Sequence, residues 1–319
     1  MALTDMKVFD KFAAEATIET LAQQVEIFNA ASGGAITLST EGFTGDFIHE
    51  VMWKSVHTAQ RRVDRYAALT SPAATALAQI DETGVKVAGG FGPISWEPAQ
   101  LTYMQKNPAE AVEMASRNMS EAIIRDMLNT GIAAAVGAFG NAAGASYDAV
   151  AAKITHSALN TGHALFGDRS SALVADVMDG STYHKLIGLN LVNGQSLFNY
   201  GGVTVVELLG KRVVVTDAPA LFLDSTTDQN RVLSLVAGGI VCHNAGDLIT
   251  NTQVANGQSR ITATFQADYT FGVTLKGYAW DTTNGSKSPT DAELATGTNW
   301  DMIATSIKDT AGVLISGDV

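Results

Sequence analysis

The sequence predicts an α+β protein, and three stretches carry that prediction. Residues 107–137 read as one long amphipathic helix. Residues 171–242 alternate short apolar strands with helical or turn segments. Residues 260–281, "RITATFQADYTFGVTLKGYAWD", alternate with period two for longer than an ordinary strand. The chain of 319 residues, 46% hydrophobic and 16% charged, has the globular balance that such elements need for a shared core.

Taken in order, residues 4–29 form a helix, because Ile18, Leu21, Val25 and Phe28 recur at steps of three and four; Ser32-Gly33-Gly34 ends it. Residues 60–100 have turn signals at Ser71-Pro72, Thr83-Gly84 and Gly89-Gly90, with strand-like pieces such as Val85-Lys86-Val87 and Ile94-Ser95-Trp96 between them. "GGFGP", residues 89–93, reads as a kinked strand. The apolar pattern of the whole stretch is too thin for a core layer, so it is expected to be either a disordered loop or an arm that packs on another chain. In the long helix Asn107 is placed to cap, Pro108 takes the first helical position and Glu110 follows. Val112, Ala115, Met119, Ile123 and Met127 continue one stripe, and Glu113, Arg117, Glu121 and Arg125 alternate in sign on another face. Residues 147–166 read as helical and 171–178 as a strand. Residues 180–189 read as a turn and short helix, and 203–207 as a strand. "RVLSLVAGGIVC", residues 231–242, completes a buried α/β layer. In the late strand Ile261, Ala263 and Phe265 share one face and Thr262, Thr264 and Gln266 the other; such a strand would lie beside the long helix. A short strand, residues 313–315, ends the chain.

Composition excludes several functions. A formal charge of −12 disfavours a protein that grips phosphates with clustered Lys and Arg. The single cysteine, Cys242, excludes an internal disulfide and reads as a small buried hydrophobe. The N-terminus lacks the apolar core of a signal peptide, and the most apolar run, "GIAAAVGAFG", is shorter than the roughly 20 residues of a membrane span. A soluble protein made in a reducing cytoplasm, with no membrane partner, is expected.

Candidate chemistry is sparse. His156 and His163 are seven apart and His49 and His57 eight apart, whereas two ligands of one metal on a helix usually stand four apart. Neither a G-x-S-x-G elbow nor a P-loop occurs. In "ELLGKRVVVTDAPAL", residues 207–221, Gly210 breaks the chain. Val213, Val214 and Val215 then form a strand, Asp217 follows it, and Pro219 stops it. Asp217 sits where active-site carboxylates often do. Asp168, Asp176, Asp179 and Asp224 are possible companions, but nothing pairs them with it; an Asp capping a turn through its own backbone is the commoner case. No catalytic, cofactor or metal residue is therefore assigned. Arg61, Arg62 and Arg65 form the only dense basic cluster, and in an acidic chain they fit an acidic protein surface, such as another copy.

Several motifs, in sequence order, carry a resemblance. They are 171–178 with Tyr183, His184 and Leu186; Gly210, Val213 to Asp217 and Pro219; Ala237-Gly238-Gly239-Ile240; Gly277 to Asp281 with Trp280; and Trp300, Lys308 and Gly312 to Ile315. The chain resembles the major capsid proteins of tailed bacteriophages, whose fold is shared with encapsulin shells. The resemblance implies an N-terminal arm (1–36), an extended loop with flanking strands (37–104) and a peripheral-domain spine helix (105–146). An axial domain (147–247), long peripheral strands (248–298) and a C-terminal strand returning to the axial domain (299–319) would follow. Asp217 would then shape a turn, and Arg61, Arg62, Arg65 and Lys86 would be intersubunit contacts. Some members cross-link Lys to Asn, but a solvated Lys86 is the simpler expectation.

The implied function is a shell protein assembling as pentamers and hexamers around double-stranded DNA, without sequence-specific binding, in the virion. Assembly would take place in the host bacterial cytoplasm with a portal and possibly a decoration protein. Because the arm starts close to Met1, the expectation is either a separate scaffolding protein or assembly without one. An encapsulin-type compartment is the alternative. A soluble α/β enzyme or binding protein is the remote one, separable by size-exclusion chromatography.

Overall fold

The computed structural model describes residues 3–318 apart from 40–41, 54–58, 75, 98–107, 191–194, 201–202, 209–210, 225–227 and 258. Asn107, His57 and Gly210 lie outside the described residues.

Two helices and two sheets organise the chain. Helix α1 (Leu3–Ser32) packs along helix α2 (Pro108–Asn141), and Leu21, Val25 and Phe28 of α1 enter the same core as Ile124, Met127 and Leu128 of α2. By length and composition α2 could cross a bilayer, yet 72% of its apolar window is buried within the protein itself. Its stripe is therefore the seam between the sheets.

The first sheet runs β1 (Ile36–Ser39), β11 (Ile240–Asn244), β13 (Thr262–Leu275), β3 (Gln79–Trp96), β2 (Phe47–Trp53), with β12 (Ile249–Ala255) alongside the first half of β13. β13 alternates as expected: Ala263, Phe265, Ala267 and Tyr269 are buried. The Tyr269 hydroxyl donates to Asp126 Oδ2 at 2.6 Å and so fastens β13 to α2. Burial raises the Asp126 pKa, and this hydrogen bond opposes the rise.

The second sheet runs β4 (Ser146–Lys153), β16 (Gly312–Asp318), β10 (Gln229–Val236), β5 (Leu173–Met178), β8 (Lys211–Val215), β7 (Val203–Leu208), β6 (Gln195–Tyr200), and β9 (Phe222–Leu223) pairs with β10. The β5–β8 and β4–β16 pairs are parallel. Helices α3 (His156–Ala164) and α4 (Gly180–Asn190) belong to this layer. β14 (Tyr278–Trp280) and β15 (Trp300–Met302) form a separate ribbon, and a one-turn helix α5 (Asp291–Leu294) starts with a Thr290–Glu293 capping box.

Three expectations are corrected. Residues 79–96 form one strand of 18 residues, and Val85 and Val87 are buried in the core. Gly89 and Gly90 make no turn. A Cβ on Gly89 would stand 2.7 Å from the Tyr269 ring, so the bare backbone is what lets that ring lie across β3. The strand does kink as expected, with a register shift opposite Phe265 and Ala267. Residues 146–153 are a strand, not the first half of a helix; parallel pairing with β16 overrides the helix preference of the alanines. Finally, residues 231–242 divide between the sheets, with β10 in the second and β11 in the first.

Candidate assembly surface

β2 and β3 are antiparallel, with Trp53 opposite Gln79, so the intervening segment leaves and re-enters the fold at one place. Among its described residues, 59–74 and 76–78, every one is exposed. That includes Val63 at 67%, Tyr66 at 93%, Leu69 at 104% and Leu77 at 59%. Single exposed apolar residues are ordinary; four in one segment whose described residues bury nothing make a candidate contact surface. Arg61, Arg62 and Arg65 lie in the same segment, and among the described residues none has a carboxylate partner. The Arg65 guanidinium stands 6.0 Å from the Tyr66 ring, and Asp64 accepts the Tyr66 backbone N–H at 2.9 Å.

Lys86 sits elsewhere. It lies mid-strand in β3, its ammonium 3.9 Å from Asp247 Oδ2 and 5.6 Å from the Phe43 ring centroid. The outward face of α1 adds Phe12, Ile18 and Ile27, each about half exposed or more. Sequence reasoning located the basic cluster but missed Val63, Tyr66, Leu69 and Leu77. Their signal was a pattern too short for a core layer: Val63, Tyr66 and Leu69 at steps of three before the Ser71-Pro72 turn signal, and Leu77 alone after it.

The motif residues turn out to be packing devices. Val213 is buried on β8, and Pro219 opens a single 3₁₀ turn. Asp217 does not bond its own turn: its Oδ1 accepts the Gly180 N–H at 3.2 Å, across to the start of α4. Asp179 accepts the Ser181 and Thr182 N–H groups at the same helix end. The two carboxylates together satisfy orphan helix donors. Asp217→Asn keeps an acceptor oxygen there and is expected to lower stability by less than about 1 kcal/mol, with assembly unchanged. A chemical denaturation curve and a particle count check this, and a larger fall or lost assembly would show another role.

Gly312 lets β16 approach β10, since a Cβ there would come 2.0 Å from the Ser234 carbonyl oxygen. Trp280 and Trp300 meet edge to face at 5.1 Å between ring centroids. The buried Cys242 thiol donates to the Met127 carbonyl at 3.4 Å, and burial pushes its pKa up to about 12, far from a reactive thiolate.

One buried polar constellation escaped the sequence reading. His163 Nε2 lies 3.1 Å from Asp176 Oδ1 and 3.0 Å from Ser234 Oγ, and Lys211 Nζ lies 3.2 Å from His163 Nδ1. These are the residue types of a nucleophilic triad, but the roles are wrong. Lys211 can only donate, so Nδ1 accepts and Nε2 carries the proton. The Ser234 hydroxyl donates to Asp176 at 2.6 Å and is fully buried. His163 therefore takes no proton from Ser234, and the network ties α3, β5, β8 and β10 together. Among the described residues no group of three or more His, Cys, Asp or Glu is placed to hold a metal.

Residues 5–314 match the family described as Gp13-like, major capsid protein 13-like. A comparison with curated protein sequences returned no match. Among solved structures, the capsid of Ralstonia phage GP4 is similar with a TM-score of 0.50 at 8% identity, over 89% of this chain and 87% of that one. The cyanophage Pam1 capsid gives 0.49 at 11% identity over 88% and 87%. The holo-SrpI encapsulin complex from Synechococcus elongatus PCC 7942 gives 0.49 at 10% over 88% and 84%.

Proposed function

We propose, from the premise that this chain belongs to the Gp13-like family of major capsid proteins, a specific role for each of its exposed surfaces. The protein is a phage capsid shell subunit with the α+β capsid fold. The observation that carries the rest is the segment between β2 and β3, which is basic and apolar and whose described residues bury nothing in their own subunit. It is the extended loop, and it lies on a neighbouring copy. Its three arginines meet acidic surface, which a chain of net charge −12 has in plenty. Lys86, mid-strand in β3 beside Asp247, is a second contact.

The division of labour follows the two sheets. The second sheet, with α3 and α4, is the axial domain at the centres of pentamers and hexamers; β16 returns the C-terminus to it. The first sheet, with α2 as spine, is the peripheral domain, and β11 belongs to it. Residues 1–36 are the N-terminal arm. The shell encloses double-stranded DNA without gripping it, since a wall that bound phosphates tightly would hinder packaging and release. Assembly takes place in the host cytoplasm with a separate scaffolding protein and a portal, and a decoration protein is a further partner. A shell subunit meets several neighbours at once, so modest contacts compound through effective concentration.

Reversing Arg61, Arg62 and Arg65 to Glu tests the loop contact. Assembly followed by light scattering is expected to slow about tenfold at 10 mM salt, and about twofold or less at 0.5 M, because exposed charges are screened. Equal slowing at both salts would show that the arginines act by shape alone.

A further inference from the structure

At the root of the extended loop, Glu50 on β2 stands directly opposite Glu82 on β3. Directly opposed residues leave the same face of a ribbon, so the two carboxylates are neighbours. They are unequal. Glu82 is buried, at 7% exposure, whereas the Glu50 side chain is 46% exposed. Like charges in this arrangement oppose pairing, and β2 is an edge: among the described residues β3 is its one neighbour in the sheet order.

The groups that face the pair come from three other elements. Lys276, in the turn after β13, attracts Glu82, and the Gly277 N–H donates to it. His243 on β11 places Nε2 3.5 Å from Glu50 Oε1 and 3.2 Å from the Thr274 hydroxyl. Among the described residues no Lys or Arg nitrogen lies within 4 Å of the Glu82 carboxylate. On the opposite face of the ribbon His49 and Asp81 pair with each other at 2.9 Å; on the Glu82 face, four residues along β3, Lys86 is engaged with Asp247 at 3.9 Å. Neither relieves Glu82. Two cross-strand pairs beyond, on the same face, Met52 and Ile80 line a cavity of about 560 Å³ shared with Val236 and Lys308.

We propose that Glu50 and Glu82 are a proton-operated latch: a proton on Glu82 keeps the root of the extended loop paired, and its loss loosens β2 from β3. The energetics agree. Burial pushes Glu82 from 4.5 up to about 7, the charge of Glu50 adds to the rise, and the Gly277 N–H and Lys276 oppose it. Between those values the paired ribbon holds a proton that the opened one releases. Pairing is therefore strongest at or below the lower value, weakens as pH rises, and levels off above about 7. The consequence for assembly rests on the loop reading above; the latch itself does not.

Hydrogen exchange on the full-length subunit, corrected for intrinsic rates, tests it. Protection of residues 47–53, referred to β10 in the other sheet, is expected to fall about tenfold from pH 6 to pH 8, one decade for one pKa unit on that limb. Glu82→Gln should hold its protection at pH 8. Glu50→Gln, which removes the same repulsion from the exposed side, should shrink the fall. A flat wild-type profile overturns the proposal, and so does a Glu82→Gln variant that follows wild type. Should Glu82→Gln not fold, the wild-type and Glu50→Gln profiles decide alone. If the latch holds while deletion of the loop leaves assembly intact, the loop reading fails and the latch stands.

Discussion

Replacing residues 59–78 with a short glycine-serine linker is expected to leave a folded subunit that forms no particles. The fold survives because none of the described residues in that stretch is buried, and because Trp53 already faces Gln79 across the ribbon, where a tight connection closes naturally. The melting temperature should move by less than about 2 °C, the response to a fraction of 1 kcal/mol in a domain this large. Assembly is another matter. Val63, Tyr66, Leu69 and Leu77 would each bring at least about 1.5 kcal/mol on burial. Their joint loss of roughly 6 kcal/mol lowers a contact constant by about four powers of ten. That loss recurs at every neighbour. Electron microscopy and size-exclusion chromatography give the result directly. Normal shells from the linker variant would make the segment decoration and leave the shell to be held by other surfaces.

The boundary of that deletion shows what the sequence could and could not reveal. From residue types alone the turn signals continue through Gly89-Gly90, yet a deletion reaching that far would cut away Val85 and Val87 from the core. Glycine is an ambiguous sign: it permits a turn, and it equally permits a ring to lie flat on a strand, as Tyr269 does on Gly89. Which use applies depends on a residue 180 positions further on. Helix α2 was legible because its signals are local: Pro108 at the start and a stripe repeating every three or four residues. β13 was legible for the same reason, with period two.

Partnerships across the chain were not legible. Asp217 looks like a turn cap until α4 arrives beside it, and His163 meets Asp176, Ser234 and Lys211 from three different strands. The alanines of 147–153 favour a helix in isolation, and only the edge of β16 makes them a strand. The segment between β2 and β3 is the extreme case: its described residues bury nothing in the chain's own fold, so its signal in the sequence is a deficit, apolar residues with no layer to join.

Trp280→Ala is expected to cost about 3–5 kcal/mol of stability, the usual range for deleting a large buried aromatic. Trp280 and Trp300 are 2% and 1% exposed, and the strands that carry them pair residue for residue, Trp280 opposite Trp300. Each indole also does a second job. Trp280 Nε1 donates to the Ser286 carbonyl at 3.2 Å, and Trp300 Nε1 donates to the Leu294 carbonyl at 2.9 Å. The two rings thus staple the excursion between β14 and β15 to its own base, so truncation leaves a cavity and strands a carbonyl together. Trp300→Ala should cost a similar amount. The double variant should cost less than the sum by about 0.5–1.5 kcal/mol, the coupling of an edge-to-face pair. Urea denaturation of the unassembled subunit measures all three. Strict additivity would mean that the rings merely fill space side by side, and that the ribbon is held by its backbone pairing alone.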